Sequence, residues 1–447
     1  MTTPKDRPGM RGNQYTTLQI GILDAMGRGN LGDAAIQESV ISNIRGRQQN
    51  ARFVGFSFDP EDTFKRHGIP AHPLTRGSRR NAHITEQGSD RRNIKSTLKA
   101  AFSKVPVLYF FLRFLAAIVR ETMFLVRSYR ILRKLDLLVI SGGGQICELW
   151  GGPWHVYTLF KFSILVKIAG KRIYFLNVGA EPLNHWLTRF FAKSSIRLAD
   201  YVSFRDAYSQ SVVRGLGLKA KTDVCADPAY ALEVSNYLNG NSGELMTQTV
   251  GINPLAFCDP RIWPRKDQSV YDVYLEKLTR FSLWLRQEGY NLKFFTTSAN
   301  VDKYAVSDLK QKLAKNSQSG HLDERTFGRY SEAVQELYCD SVTEVLVEMS
   351  GCDYIVTSRY HGVIFSHLLG KPLIVLNYQA KSDVAMRAAG LGEYSADIEY
   401  FDPNWLIHAF SSLVHNCEII KTKEERTVKV YMEKLREQFD ALFSHVT

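Results

Sequence analysis

Ser358-Arg359-Tyr360-His361-Gly362 stands between two apolar runs. The guanidinium of Arg359 is a planar fork that can grip a carboxylate or phosphate at two points. His361 titrates near neutrality and can give or take a proton. An isolated histidine is more often structural. One beside an arginine, after a strand and at a helix start, is placed for chemistry. Tyr378 and Lys381 mark the next such junction, where Lys381 can reach back to an anion or simply face water. In Ser203-Phe204-Arg205-Asp206, Asp206 is set to cap a helix and Arg205 to face a cleft.

Two glycine-rich turns extend the series. Gly27, Gly29 and Gly32 form G-x-G-x-x-G, with Asn30 inside it and Asp33 just after. Such a turn lets the backbone approach a phosphate at a helix N-terminus, or is only a tight bend. A dinucleotide site calls for an acid about 20 residues further on. The nearest, Asp59, lies 27 residues beyond Gly32. Ser141-Gly142-Gly143-Gly144-Gln145 can present successive N–H groups to an anion, or allow close packing. Trp150, Trp154 and Tyr157 follow it; Trp150 and Trp154 can stack on a sugar, though such residues more often pack.

These residues sit where strands end. Short β-rich runs at 18–23, 52–58, 137–140, 172–177, 201–204 and 222–225 alternate with helical stretches. After a polar stretch the pattern restarts at 249–253, 292–296, 354–357 and 373–376. The expected architecture is α/β, two doubly wound Rossmann-like domains facing a cleft. The expected division is a disordered tail at 1–14, an N-terminal domain at 15–235, a linker at 236–247 and a C-terminal domain at 248–447.

A chain of 447 residues is too long for one ordinary domain. The net charge of +12 is concentrated: residues 74–134 hold fourteen Lys and Arg against three acids, +11 of the total. A nearly neutral protein with one basic segment does not suit nucleic acid. Within that segment Arg113, Arg120 and Arg127 recur every seven residues along an apolar stretch at 105–132. Two readings stand side by side: a helix lying on an anionic membrane surface, and a helix packed on its own domain. The six cysteines are scattered, without C-x-x-C, so reduced thiols are expected and neither zinc nor a disulfide framework. The N-terminal stretch has no apolar core of a signal peptide.

Taken in order, Gly29-Asn30-Leu31-Gly32-Asp33, Gly142-Gly143-Gly144, Arg205-Asp206-x-x-Ser209, Asp227-Pro228, Arg359-x-His361 and Tyr378-x-x-Lys381 resemble the polysaccharide pyruvyl transferase family. The resemblance spans about residues 18 to 381, with departures at Ala34, where an acid is usual, and Tyr360, where an aliphatic residue is usual. It implies a fold like that of GT-B glycosyltransferases. It also implies transfer of pyruvate from phosphoenolpyruvate onto two sugar hydroxyls as a cyclic ketal, with no metal or organic cofactor. In that role Arg205, Arg359 and Lys381 would hold the donor, and His361 would protonate its methylene carbon. Gly29, Asn30, Gly32, Asp33, Gly142, Gly143, Gly144, Gln145 and Tyr378 would help seat donor or acceptor. The acceptor would be a glycan, free or lipid-linked, and the enzyme cytoplasmic, held at the inner face of the membrane by 74–134. Three alternatives remain: a nucleotide-sugar glycosyltransferase, an NAD-binding oxidoreductase built on the first glycine turn, and a non-catalytic membrane scaffold.

Overall fold

Runs of Ile, Leu, Val and Phe without polar alternation make strands that are buried on both faces, as parallel sheets require. The computed structural model describes residues 17–24, 29–77, 106–149, 151–235, 248–316 and 334–444. The expected tail at 1–14 and linker at 236–247 lie outside them, as do Gly27 and residues 78–105.

The first sheet contains β1 (Gln19–Leu23), β2 (Arg52–Ser57), β3 (Ala71–Pro73), β4 (Leu137–Ser141), β5 (Arg172–Val178), β6 (Tyr201–Phe204) and β7 (Asp223–Val224). Its order is β3-β2-β1-β4-β5-β6-β7, parallel throughout. Around it lie α1 (Leu31–Arg47), α2 (Pro60–His67), α3 (Pro106–Leu132), α4 (Pro153–Ile168), α5 (Trp186–Arg197) and α6 (Ala207–Arg214).

The second sheet contains β8 (Thr249–Asn253), β9 (Asn291–Phe295), β10 (Val334–Leu337), β11 (Tyr354–Thr357), β12 (Leu373–Asn377) and β13 (Ser395–Asp397), in the order β10-β9-β8-β11-β12-β13 and again parallel. Its helices are α7 (Gln268–Gln287), α8 (Ala299–Asn316), α9 (Val342–Ser350), α10 (Tyr360–Leu369), α11 (Ala380–Ala388) and α12 (Pro403–His415). Both sheets reverse direction beside their first strand, the switch point where doubly wound folds bind ligands.

One helix departs from the expected division. The last, α13 (Cys417–Phe443), belongs by sequence to the second unit but returns to the first. Gln438 bonds Asn177, Tyr201 and Ser203, and Arg47 pairs with Asp440 at 2.7 Å. The apolar cluster containing Ile36 and Val40 of α1 continues through Tyr230, Leu435 and Phe439 to Val363 and Phe365 of α10. The two units therefore share a core.

Candidate active site

The strand ends of the two units meet through side chains that are far apart in the chain. The loop entering α1 acts as a clasp. The amide of Leu31 donates to the carbonyl of Thr297 (2.9 Å), and Asn30 forms a bridge to Ser298. Asn30 also caps α1, accepting from the Gly32 amide at 3.1 Å. These amides are the ones a phosphate would need. Two N–H groups of the stretch Gly29–Asp33 are thus taken, that of Leu31 by the other unit and that of Gly32 by the cap, and are not free for an anion. Gly32 is required for closeness, because a Cβ there would lie 1.9 Å from Nδ1 of His361.

Arg205 was expected to point into the cleft. It is instead buried at the junction, with its guanidinium carbon 4.4 Å from the centre of the Tyr360 ring across the domain boundary. Gly179 makes room for it: a Cβ there would fall 2.6 Å from the guanidinium. Its contacts to Asp206 and Asp227 are both long, 3.4 Å, and its buried Nε has no hydrogen-bond partner among the described residues. Asp206 caps α6 by accepting from the Ser209 amide, as its position suggested.

Arg359 departs from expectation in another way. Its Nε lies 3.1 and 3.2 Å from the two oxygens of Asp302, and Nη2 also donates to that carboxylate. Asp302 is fully buried on α8, and a buried carboxylate without a counter-charge is costly. The fork is thus engaged by Asp302 and is not open to a donor on that edge. The Arg359 amide is fixed too, donating to Thr357 Oγ1 at 3.1 Å, while Thr357 bonds Asn253.

Lys381 Nζ stands 3.9 Å from Glu181 of the first unit and 6.0 Å from the Tyr360 ring. Glu181 also accepts from Gln379 at 3.0 Å. Tyr378 lies beside Lys381, its ring 5.8 Å from Nζ. Helices α10 and α11 start at this junction, and neither has a side-chain cap.

The sequence profile of the family described as Polysaccharide pyruvyl transferase matches residues 30–380. The chain belongs to this family. AmsJ, an amylovoran biosynthesis protein of Erwinia amylovora, is 20% identical over 308 residues, 67% of this chain and 70% of AmsJ. This polysaccharide pyruvyl transferase also shares its fold with solved structures. The UDP-GlcNAc 2-epimerase of Neisseria meningitidis, bound to UDP-GlcNAc, aligns over 94% of this chain and 99% of its own, with TM-score 0.52 and 13% identity. A glycosyltransferase from Rickettsia africae aligns over 97% and 100%, with TM-score 0.51 and 9% identity. At such identities the likeness concerns fold alone: two parallel-sheet α/β units of the GT-B type.

In this pyruvyl transferase the junction sets the charge of its titrating groups. Burial, then Arg205, Lys381 and Arg359, hold the His361 pKa well below the ordinary histidine range. The imidazole is therefore neutral at pH 7 in the free protein. Its buried Nε2 has no hydrogen-bond partner among the described residues. Asp33 keeps some exposed surface, yet the crowding around its carboxyl pushes its pKa up to about 6 against the pull of Lys381. Asn30 Nδ2 donates to Asp33 at 2.7 Å.

The second glycine turn borders these acids. The Gly143 carbonyl accepts from the Gly179 amide at 2.7 Å, and the Gly142 amide donates to the Leu176 carbonyl at 2.8 Å. A Cβ on Gly143 would stand 3.5 Å from both Asp24 and Asp33. Gln145 donates to buried Asp24. Two carboxyls, those of Asp24 and Asp33, thus stand beside the Gly142–Gly144 turn. Gly144 itself is partly exposed. Sequence reasoning missed Asp302, Glu181, Gly179 and Asn253, which carry no local motif.

Proposed function

We propose that this transferase moves pyruvate from phosphoenolpyruvate to two hydroxyls of a sugar, in a polysaccharide or its lipid-linked precursor, forming a cyclic ketal. One observation carries the reading. The buried Arg205 guanidinium, its Nε without a hydrogen-bond partner among the described residues, lies in the same junction as Arg359, Lys381 and His361. Arg205 and Lys381, held only by long carboxylate contacts, suit a small, highly charged donor. The starts of α10 and α11 add N–H groups favourable to its phosphate. The partly exposed carboxyl of Asp33, beside the Gly142–Gly144 turn, can accept from a hydroxyl of the acceptor.

The chemistry follows from that division. Burial and then three cations keep His361 neutral, and the donor's negative charge offsets the cations, so His361 gains a proton as the donor binds. It passes that proton to the methylene carbon, leaving the second carbon electrophilic. A sugar hydroxyl attacks there and loses its proton to a carboxylate, for which Asp33 is the candidate. Phosphate departs, and the second hydroxyl closes the ring as its proton is released. Positioned acid catalysis of this kind contributes roughly 10²–10⁴-fold.

The test is incubation with phosphoenolpyruvate and a panel of glycan acceptors, following phosphate release and a mass gain of one pyruvyl ketal. Consumption of a sugar nucleotide, with phosphoenolpyruvate untouched, would replace this reading by glycosyl transfer.

A further inference from the structure

The two sequence readings of residues 105–132 divide along α3. Its C-terminal part packs: Ser128 and Leu132 are buried, and Phe124 and Ile131 join the core of the first unit. Its N-terminal part does not. Leu112, Phe114, Leu115, Ile118, Val119, Met123 and Val126 are all exposed, Phe114 at 55% and Met123 at 50%. Arg113, Arg120 and Arg127 are exposed among them. Arg76 anchors the helix from beneath, pairing with Glu121 and donating to the Ala117 carbonyl.

The apolar face continues onto neighbouring helices. Phe124 of α3 meets Lys161 of α4, whose Nζ is 4.5 Å from the ring and 5.7 Å from that of Tyr157. Tyr157 touches Trp154 and Phe191, and Phe191 touches Phe190. Trp154 and Trp186 are each 70% exposed and Phe190 52%. Trp154 stands nine residues after Gln145, beside the turn that borders the candidate acceptor side.

We propose that the outer face of α3, with Trp154, Trp186 and Phe190, docks on an anionic lipid bilayer. An apolar surface laced with arginines and edged by tryptophans matches the membrane interface: hydrocarbon for Phe and Leu, headgroups for Trp, anionic phosphates for Arg. Charge argues against the other occupants. Residues 78–105 hold seven basic groups against two acids, and a second copy would set arginines against arginines. Among the described residues no helix is long and apolar enough to cross a membrane, so the contact is a surface one. Delivery of a lipid-linked acceptor to the cleft rests on the proposed function; the docking itself does not.

Co-sedimentation of the full chain with phosphatidylcholine vesicles, with and without phosphatidylglycerol, tests it in the absence of substrate. The expected result is roughly tenfold stronger partitioning onto the anionic vesicles at low salt, declining with added salt. Ile118→Glu with Met123→Glu should lose that partitioning while keeping the wild-type melting temperature and turnover on a soluble glycan. Brominated phosphatidylglycerol should quench tryptophan fluorescence, and Trp154→Phe with Trp186→Phe should remove most of the quenching. Partitioning indifferent to anionic lipid or to Ile118→Glu overturns the proposal. So does lipid-free self-association abolished by Ile118→Glu, which would assign the face to a second copy. Failure of pyruvyl transfer with vesicle binding intact would count against the proposed function alone.

Discussion

A histidine ringed by three cations keeps a proton only once those cations are offset. Burial first, and then Arg205, Lys381 and Arg359, hold His361 neutral in the free protein. Binding of phosphoenolpyruvate at pH 7 should therefore take up a proton, read as a binding heat that depends on the buffer's ionisation enthalpy. His361→Gln should abolish the uptake, and His361→Ala should abolish transfer while the protein stays folded; near wild-type turnover would remove His361 from the mechanism. At Arg359 the decisive group is Asp302, which already occupies one edge of the fork. Arg359→Lys leaves a point charge that cannot serve Asp302 and a donor together. It should raise the donor KM sharply, and steady-state kinetics showing an unchanged KM would refute that placement.

At the scale of elements, the apolar strands were legible because burial on both faces demands unbroken hydrophobic runs. β3, β10 and β13 escaped notice: they are three or four residues long and lie at or near sheet edges, where polar residues such as His72, Gln335 and Asp397 are tolerated. Arg359 and His361 were legible as a pair beside a strand. Asp302, 57 residues from Arg359, became visible only through folding, because ion pairing across that distance has no sequence period. Nothing in the sequence marks the unit that the long final helix packs on. Glu424 of that helix is fully buried, and burial pushes its pKa up to about 8 from 4.5. The fold thus holds a proton that the unfolded chain releases, so stability falls as pH rises through that window. Melting curves should show Glu424→Gln matching the wild type near about pH 5 and exceeding it by several degrees near about pH 9. Parallel curves at both pH values would contradict the neutral carboxyl.

At the scale of the molecule, the site exists only because two units meet. Gly32 comes from one, His361 from the other, and only a hydrogen atom's space separates them. Gly32→Ala should push the imidazole aside or part the units. Each sheet should still form, with unchanged circular dichroism, while kcat falls by two orders of magnitude or more, about the contribution of a positioned acid. Retained kcat would show that this closeness is incidental.

The return of α13 has a mechanical consequence. The chain passes from the first unit to the second between β7 and β8, and comes back along α13, whose Lys423 still bonds Gly390 of the second unit while Gln438 bonds Asn177 of the first. A body pinned to another at two points keeps one easy freedom, rotation about the line joining them. With a core shared as well, little of that freedom is left, and the groups that the two units bring to the junction stay in register.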